Sequence, residues 1–221
     1  MKIALMGNPN SGKTSMYNLL TGENEKVGNW AGVTVEKKEG KMKRGLCHGA
    51  EKITVVDLPG AYSMSPFTSE ESVTSSYVKE EAPDVLINIV DATNLSRSLF
   101  FTTQLLELDV PVVVALNKTD INDKKDTRIN VAELSKKLGC PVIETVSTDE
   151  KGLEAVVKAA VDQYGKGQKA PYSQGEADLS SKEAVIEADK KRLAFVNKIV
   201  ASVEQRKVLT KEKNSQDKLD A

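Results

Sequence analysis

The chain has 221 residues, with 31 basic and 32 acidic side chains and a formal net charge of −1. With 39% hydrophobic and 29% charged residues it excludes a collagen-like or wholly disordered chain, and its length suits one medium domain with a small appendage. The balanced charge removes the simplest case for a nucleic-acid or anionic-membrane protein. No apolar run approaches the ~20 residues that span a bilayer, so composition alone points to a soluble, cytosolic chain.

In chain order, Lys2–Met6 predicts a short strand ending in a glycine-rich turn, and Ser15–Thr21 a helix. Val33–Arg44 alternates polar residues as an exposed edge strand does, in a hairpin with a strand at Ile53–Val56. Val85–Val90, Val112–Leu116 and Val142–Val146 are further β-branched runs of strand length. Helical patterns fall over Ser96–Leu108, Val131–Leu138 and Leu153–Tyr164. Apolar strands separated by helices indicate an α/β domain with a mostly parallel sheet covered on both faces, here assigned to residues 1–165.

Composition shifts at Tyr164. Glycines, a proline and no apolar period make residues 166–178 a linker. A helical extension over 179–221 follows, opened by a capping box at Ser180-Ser-Lys-Glu183. Its apolar positions Leu193, Val196, Ile199, Val200 and Val203 recur at helical spacing, as on a helix packed against a neighbour. Cys47 and Cys140 read as reduced thiols, and His48, the single histidine, as an ordinary loop or strand-end residue.

Chemistry concentrates in loops at strand ends. Gly7-Asn-Pro-Asn-Ser-Gly-Lys-Thr14 fits the G-x-x-x-x-G-K-[ST] pattern, between a strand and a helix. Gly7, Asn8, Pro9, Asn10, Ser11 and Gly12 would curl backbone amides around phosphates, followed by Lys13, Thr14 and Ser15 at the helix start. Lys13 supplies charge at the β- and γ-phosphates, and the Thr14 hydroxyl is a magnesium ligand. Asp57-Leu-Pro-Gly60 follows a strand, placing Asp57 to hold magnesium through water and the Gly60 amide to meet a γ-phosphate.

Asn117-Lys-Thr-Asp120 follows another strand. Asp120 there accepts from the guanine edge, which adenine lacks, and Lys118 and Ser147 complete the base loops. Order, spacing and placement together imply a P-loop GTPase of Ras-like fold, with a small C-terminal helical appendage. Between the P-loop and Asp57, Gly28, Trp30, Gly32, Val33 and Thr34 form a candidate switch loop, with Thr34 a second magnesium ligand.

Three segments carry a closer resemblance. Gly-Asn-Pro-Asn-Ser-Gly-Lys-Thr-Ser from Gly7, Val-Gly-Asn-Trp-Ala-Gly-Val-Thr-Val-Glu from Val27, and Asp-Leu-Pro-Gly-Ala-Tyr-Ser from Asp57 are similar to the amino-terminal G domain of the FeoB ferrous iron transport family. The resemblance implies slow GTP hydrolysis to GDP and phosphate, serving iron uptake through a membrane permease domain of the same chain. It also implies small accessory proteins of the transport system and possible oligomerisation through the membrane part, at the cytoplasmic face of a bacterial membrane. Ser215–Ala221 resembles the polar stretch that precedes the first membrane helix in such chains.

Ras-like enzymes orient the attacking water with a glutamine after the Asp-to-Gly motif, where this chain has Ala61, and no arginine is placed as a finger within the switches. The resemblance implies potassium instead, held by Asn10 and by carbonyls near Gly28 and Trp30, alongside Mg2+. Thr34 would then position water, with Asn10, Lys13 and Gly60 at the phosphates. Two other classes fit less well. A ribosome- or tRNA-associated GTPase calls for a basic RNA-binding module, which the charge-balanced tail does not supply, so no nucleic acid is expected. A nucleotide-gated docking module differs only in that hydrolysis is incidental.

Overall fold

The apolar runs of the sequence become the centre of one sheet. A computed structural model describes residues 1–22, 25–30, 35–50, 52–64, 68–175 and 181–206. The elements are β1 (Lys2–Gly7), α1 (Lys13–Thr21), β2 (Glu25–Asn29), β3 (Glu36–Lys41), β4 (Thr54–Asp57), α2 (Ser69–Glu81), β5 (Val85–Asp91) and α3 (Leu95–Leu105). They continue as β6 (Val112–Asn117), α4 (Thr119–Lys124), β7 (Thr127–Ile129), α5 (Val131–Leu138), β8 (Val142–Thr145), α6 (Leu153–Gln163), α7 (Lys182–Val203) and β9 (Glu204–Arg206). The main sheet runs in the order β2-β3-β4-β1-β5-β6-β8. β1 pairs in parallel with β4 and β5, and the parallel ladder continues through β6 to β8.

Alternation along β1 and β5 divides the core between the two sheet faces. Ala4, Met6, Leu86 and Val90 face one cluster, shared with Tyr77 of α2, Leu99 of α3, Leu134 of α5 and Val196 of α7. Ile3, Leu5, Val85 and Ile87 face the other, with Met16 and Leu20 of α1 and Val156 of α6. Cys47 and Cys140 are free and buried, and burial pushes the Cys140 thiol up to about 12.

Several expectations are corrected. The strand expected at Val33–Arg44 is shorter and is not the edge. It pairs antiparallel with both β4 and β2, and β2 forms the rim. Only Val27 of β2 is apolar and it is 57% exposed, so β2 carries no alternation to read. α2 went unread because Val73, Tyr77 and Val78 are its only apolar side chains. The Thr68 hydroxyl nevertheless accepts from the Glu71 N–H at 3.1 Å, an N-cap of ordinary type. The α7 cap is Ser181, not Ser180: its hydroxyl accepts from Ala184 N–H at 3.3 Å, and Ser180 lies outside the described residues.

Leu193 does not join the buried stripe of α7 but is 43% exposed. Stepping back one turn from Val196 lands on Arg192, which is 3% exposed and takes that place. After α7 the chain turns into β9, antiparallel to β7. The expected linker is strapped to the domain at several points: Gln168 accepts from Val112 N–H at 2.8 Å, and Gln174 N–H donates to Glu107 at 2.8 Å.

Candidate nucleotide site

Chain direction across the sheet reverses around β1, since β4 lies on one side and β5 on the other. Open α/β sheets bind ligands outside the strand ends at such a point. The loop there runs from Gly7 to Gly12 and leads directly into α1, which begins at Lys13 rather than Ser15. Gly12 holds φ at 98°, and a Cβ added to it would overlap the Asn117 amide. A Cβ on Gly7 would lie 2.7 Å from the Ile89 carbonyl and from Ser11 Oγ. Both positions are therefore closed to any side chain.

This loop meets the Asp57 segment. Ala61 N–H donates to the Gly7 carbonyl at 3.2 Å, and Gly60 packs so closely that an added Cβ would lie 3.1 Å from Pro9 Cα. Lys13 Nζ is ion-paired with Asp57. Asn8, Pro9, Asn10, Gly12, Lys13, Thr14, Ser15, Gly60 and Ala61 line one cleft of about 720 Å3. Tyr62, Thr68, Glu70 and Glu71 complete it and were not expected from the sequence. The signal for the last three was the Thr68-x-x-Glu71 cap that brings the start of α2 to the cleft. The Arg97 guanidinium lies 4.0 Å from the Tyr62 ring centre at this lip.

The base loops are fastened to the same structure. Buried Asn117 donates from Nδ2 to the Ser11 carbonyl at 2.8 Å. Its Oδ1 accepts from Ser147 N–H at 3.0 Å and from the Thr145 hydroxyl at 3.3 Å. Lys118 Nζ donates to the Asn10 carbonyl at 2.7 Å and to Asp91 at 2.6 Å. Asp91 was not foreseen, although an acid at a strand's carboxyl end is the kind of position that carries function. Burial opposes its ionisation, but hydrogen bonds from Lys118 and Thr93 outweigh this and hold the carboxyl below the usual range. Asp120 stands in the first turn of α4, its side chain 41% exposed.

Not every expected residue converges. Gly28 sits in β2 opposite Lys37, and the Trp30 ring packs edge-on against Tyr77 of α2 at 5.3 Å, beside a second cavity rather than the Asn10 cleft. Gly32, Val33, Thr34 and residues 215–221 lie outside the described residues.

The donor set fits a magnesium nucleotide. Ser11 Oγ and Ser147 Oγ are buried without a hydrogen-bond partner, one in the phosphate loop and one in the base loop. Buried polar atoms are rarely left so, and both lie in loops that the Asn117 side chain ties together. Thr14 and Asp57 offer the hard oxygen ligands that magnesium prefers. Among the described residues no cluster of His, Cys, Asp and Glu would hold a metal by protein groups alone.

Residues 1–160 match the family described as ferrous iron transport protein B. The Fe(2+) transporter FeoB of Escherichia coli K12 is 49% identical over 168 residues, covering 74% of this chain and 21% of that protein. The Salmonella typhimurium LT2 protein gives the same figures of 49%, 74% and 21%. The chain thus spans about a fifth of the length of the curated relatives it matches.

Among solved structures, the cytosolic domain of L. pneumophila FeoB aligns with TM-score 0.82 at 28% identity, over 93% of this chain and 100% of that one. The T. maritima FeoB cytosolic domain in its GMPPNP form gives 0.81 and 28%, over 93% and 99%. A GDP-bound mutant of the S. thermophilus FeoB G-domain gives 0.79 and 33%, over 93% and 100%. The fold they share with this chain is that of a P-loop GTPase. Among the described residues, no helix is long and apolar enough to cross a membrane.

Proposed function

The chain belongs to the amino-terminal family of ferrous iron transport protein B, and from that premise we propose that it hydrolyses GTP to GDP and phosphate slowly, with magnesium and potassium, to regulate or drive iron uptake through a membrane permease domain. The observation that carries this reading is Asn117. One side chain ties Ser11 of the phosphate loop to Ser147 of the base loop, and both serines present an unpaired buried hydroxyl.

In this reading Lys13 leaves Asp57 for the β- and γ-phosphates when nucleotide enters. Thr14, Asp57 and Thr34 hold magnesium, which draws charge from the phosphate oxygens when bound. Asp120 accepts from the guanine edge, and the Ser147 hydroxyl gains a partner at the base. The Gly60 N–H faces the γ-phosphate. Water adds to the γ-phosphorus and gives up a proton to phosphate or solvent, while the bond to the bridging oxygen breaks and its electron pair leaves with GDP.

Ala61 has no group to orient that water, so the task falls to Thr34. Asn10 would hold a potassium ion, which would supply positive charge against the leaving phosphate as an arginine finger does elsewhere. Gly28 and Trp30 would contribute backbone carbonyls to the same ion. Membrane attachment and accessory proteins of the transport system belong to the same proposal.

Phosphate release from GTP and from ATP, with magnesium in potassium buffer, tests the reading. GTP turnover that Asn117→Ala removes, with none from ATP, supports it. Equal turnover of the two nucleotides overturns it.

A further inference from the structure

Two non-glycine residues of the site, Asn10 and Lys118, both hold φ at 63°. Residues with side chains occupy this left-handed region uncommonly, Asn more readily than Lys, and contacts with the surroundings help to hold them there. One ammonium group touches both. Lys118 carries it, and its Nζ donates to the Asn10 carbonyl at 2.7 Å. The same Nζ donates to Asp91 Oδ2 at 2.6 Å, which fixes the direction of the lysine.

Asp91 is itself built in. Its Oδ1 accepts from Thr93 N–H at 2.9 Å and from the Thr93 hydroxyl at 2.7 Å, and its own N–H donates to Ser98 Oγ at 3.2 Å. One carboxylate oxygen is thereby anchored to the loop after β5, and the other is left to Lys118. The ion pair is partly exposed, with side-chain accessibilities of 28% and 18%, so it contributes little to global stability. Its consequence is local and directional: it fixes the Asn10 carbonyl, and so the backbone from which the Asn10 side chain projects.

We propose that Asp91 is a positioning residue for the cation-assisted step, acting through Lys118 to hold Asn10 in the conformation that receives potassium. This rests on the potassium reading of Asn10 above. Asp91 need touch neither nucleotide nor ion. It fixes the donor that fixes the residue that does.

The test uses Asp91→Asn, which keeps shape and removes the charge, and Thr93→Val, which loosens the anchored oxygen and keeps the charge. Asn10→Ala is the reference. Potassium and sodium are titrated separately against protein carrying magnesium and a non-hydrolysable GTP analogue. The thermal midpoint reports cation binding without turnover. The same titrations are then read by hydrolysis.

Asp91→Asn is expected to raise the potassium needed for half the effect by about five- to tenfold in both readouts, as replacing a charge-assisted hydrogen bond by a neutral one would. Thr93→Val shifts it the same way by less, and the midpoint without nucleotide changes little in either. An unchanged potassium requirement in Asp91→Asn, with Asn10→Ala insensitive to potassium, overturns the role of Asp91 and leaves the functional reading standing. Equal weakening in potassium and sodium assigns Asp91 to the base loop alone and also overturns it. If Asn10→Ala keeps the full potassium preference, the reading of Asn10 itself fails, and this proposal fails with it.

Discussion

Lys13 and Asp57 form an ion pair across the floor of the phosphate cleft, their side chains only 10% and 7% exposed. In the proposed reading each is half of a different ligand interaction: the lysine would meet a phosphate and the aspartate a magnesium ion. In their pairing each stabilises the other against burial.

Lys13→Met should therefore act twice. Without nucleotide it deprives a buried carboxylate of this cation and lowers the unfolding midpoint. With nucleotide it removes a charged contact worth about 1.5–3 kcal/mol, weakening GTP affinity about 10- to 150-fold. Titration calorimetry decides it: affinity within twofold of the parent protein contradicts the pairing of Lys13 with phosphate.

Asp120 is half-exposed in the first turn of α4 and makes a long 3.8 Å pair with Lys124. Asp120→Asn should exchange guanine recognition for xanthine, because an amide donates where the carboxylate accepts. GTP affinity is expected to fall about 10- to 150-fold while xanthosine triphosphate gains, since a hydrogen bond to a charged group is worth about 1.5–3 kcal/mol. Retained GTP preference in a competition assay would show that another residue reads the base.

The single tryptophan packs against Tyr77 of α2, with Lys37 Nζ 4.8 Å from its ring centre. Trp30 thus joins the end of β2 to the helix that brings Glu70 and Glu71 to the cleft. Its emission should change when a GTP analogue binds and change little with GDP. A signal silent to both would make Trp30 a core anchor only.

Arg192 of α7 is 3% exposed and satisfied on all sides. It pairs with Glu107, donates to Thr103 Oγ1 at 3.3 Å and to Gln174 at 3.0 Å, and lies 4.9 Å from the Tyr172 ring centre. Arg192→Met removes the cation paired with Glu107, which keeps its bond from Gln174 N–H, and should cost about 1.5–3 kcal/mol in urea unfolding. Adding Glu107→Gln should recover part of that loss, because no charge is then left behind. Additive losses in the double variant would deny the coupling.

The loops around the cleft were legible because close backbone packing restricts residue type there. Gly7 and Gly12 admit no side chain, and Asn117 and Asp57 stand at strand ends that β-branched runs announce. What stayed hidden depends on partners distant in sequence. Asp91 matters through Lys118, 27 positions on, and Arg192 reads as surface charge until Glu107, 85 positions back, neutralises it. β2 and α2 were unread for the opposite reason: their residues are mostly polar, and tertiary contacts rather than pattern decide their state.

The central claim is that a monovalent cation at Asn10 stands in for the missing glutamine and arginine. Steady-state phosphate release from GTP, with saturating magnesium, in matched potassium and sodium buffers tests it most directly, for the parent chain and Asn10→Ala. The account predicts turnover about tenfold or more faster in potassium for the parent, and equal rates in the two salts for Asn10→Ala with GTP still bound. Equal rates in both salts for the parent chain, or an undiminished potassium effect in Asn10→Ala, would contradict it.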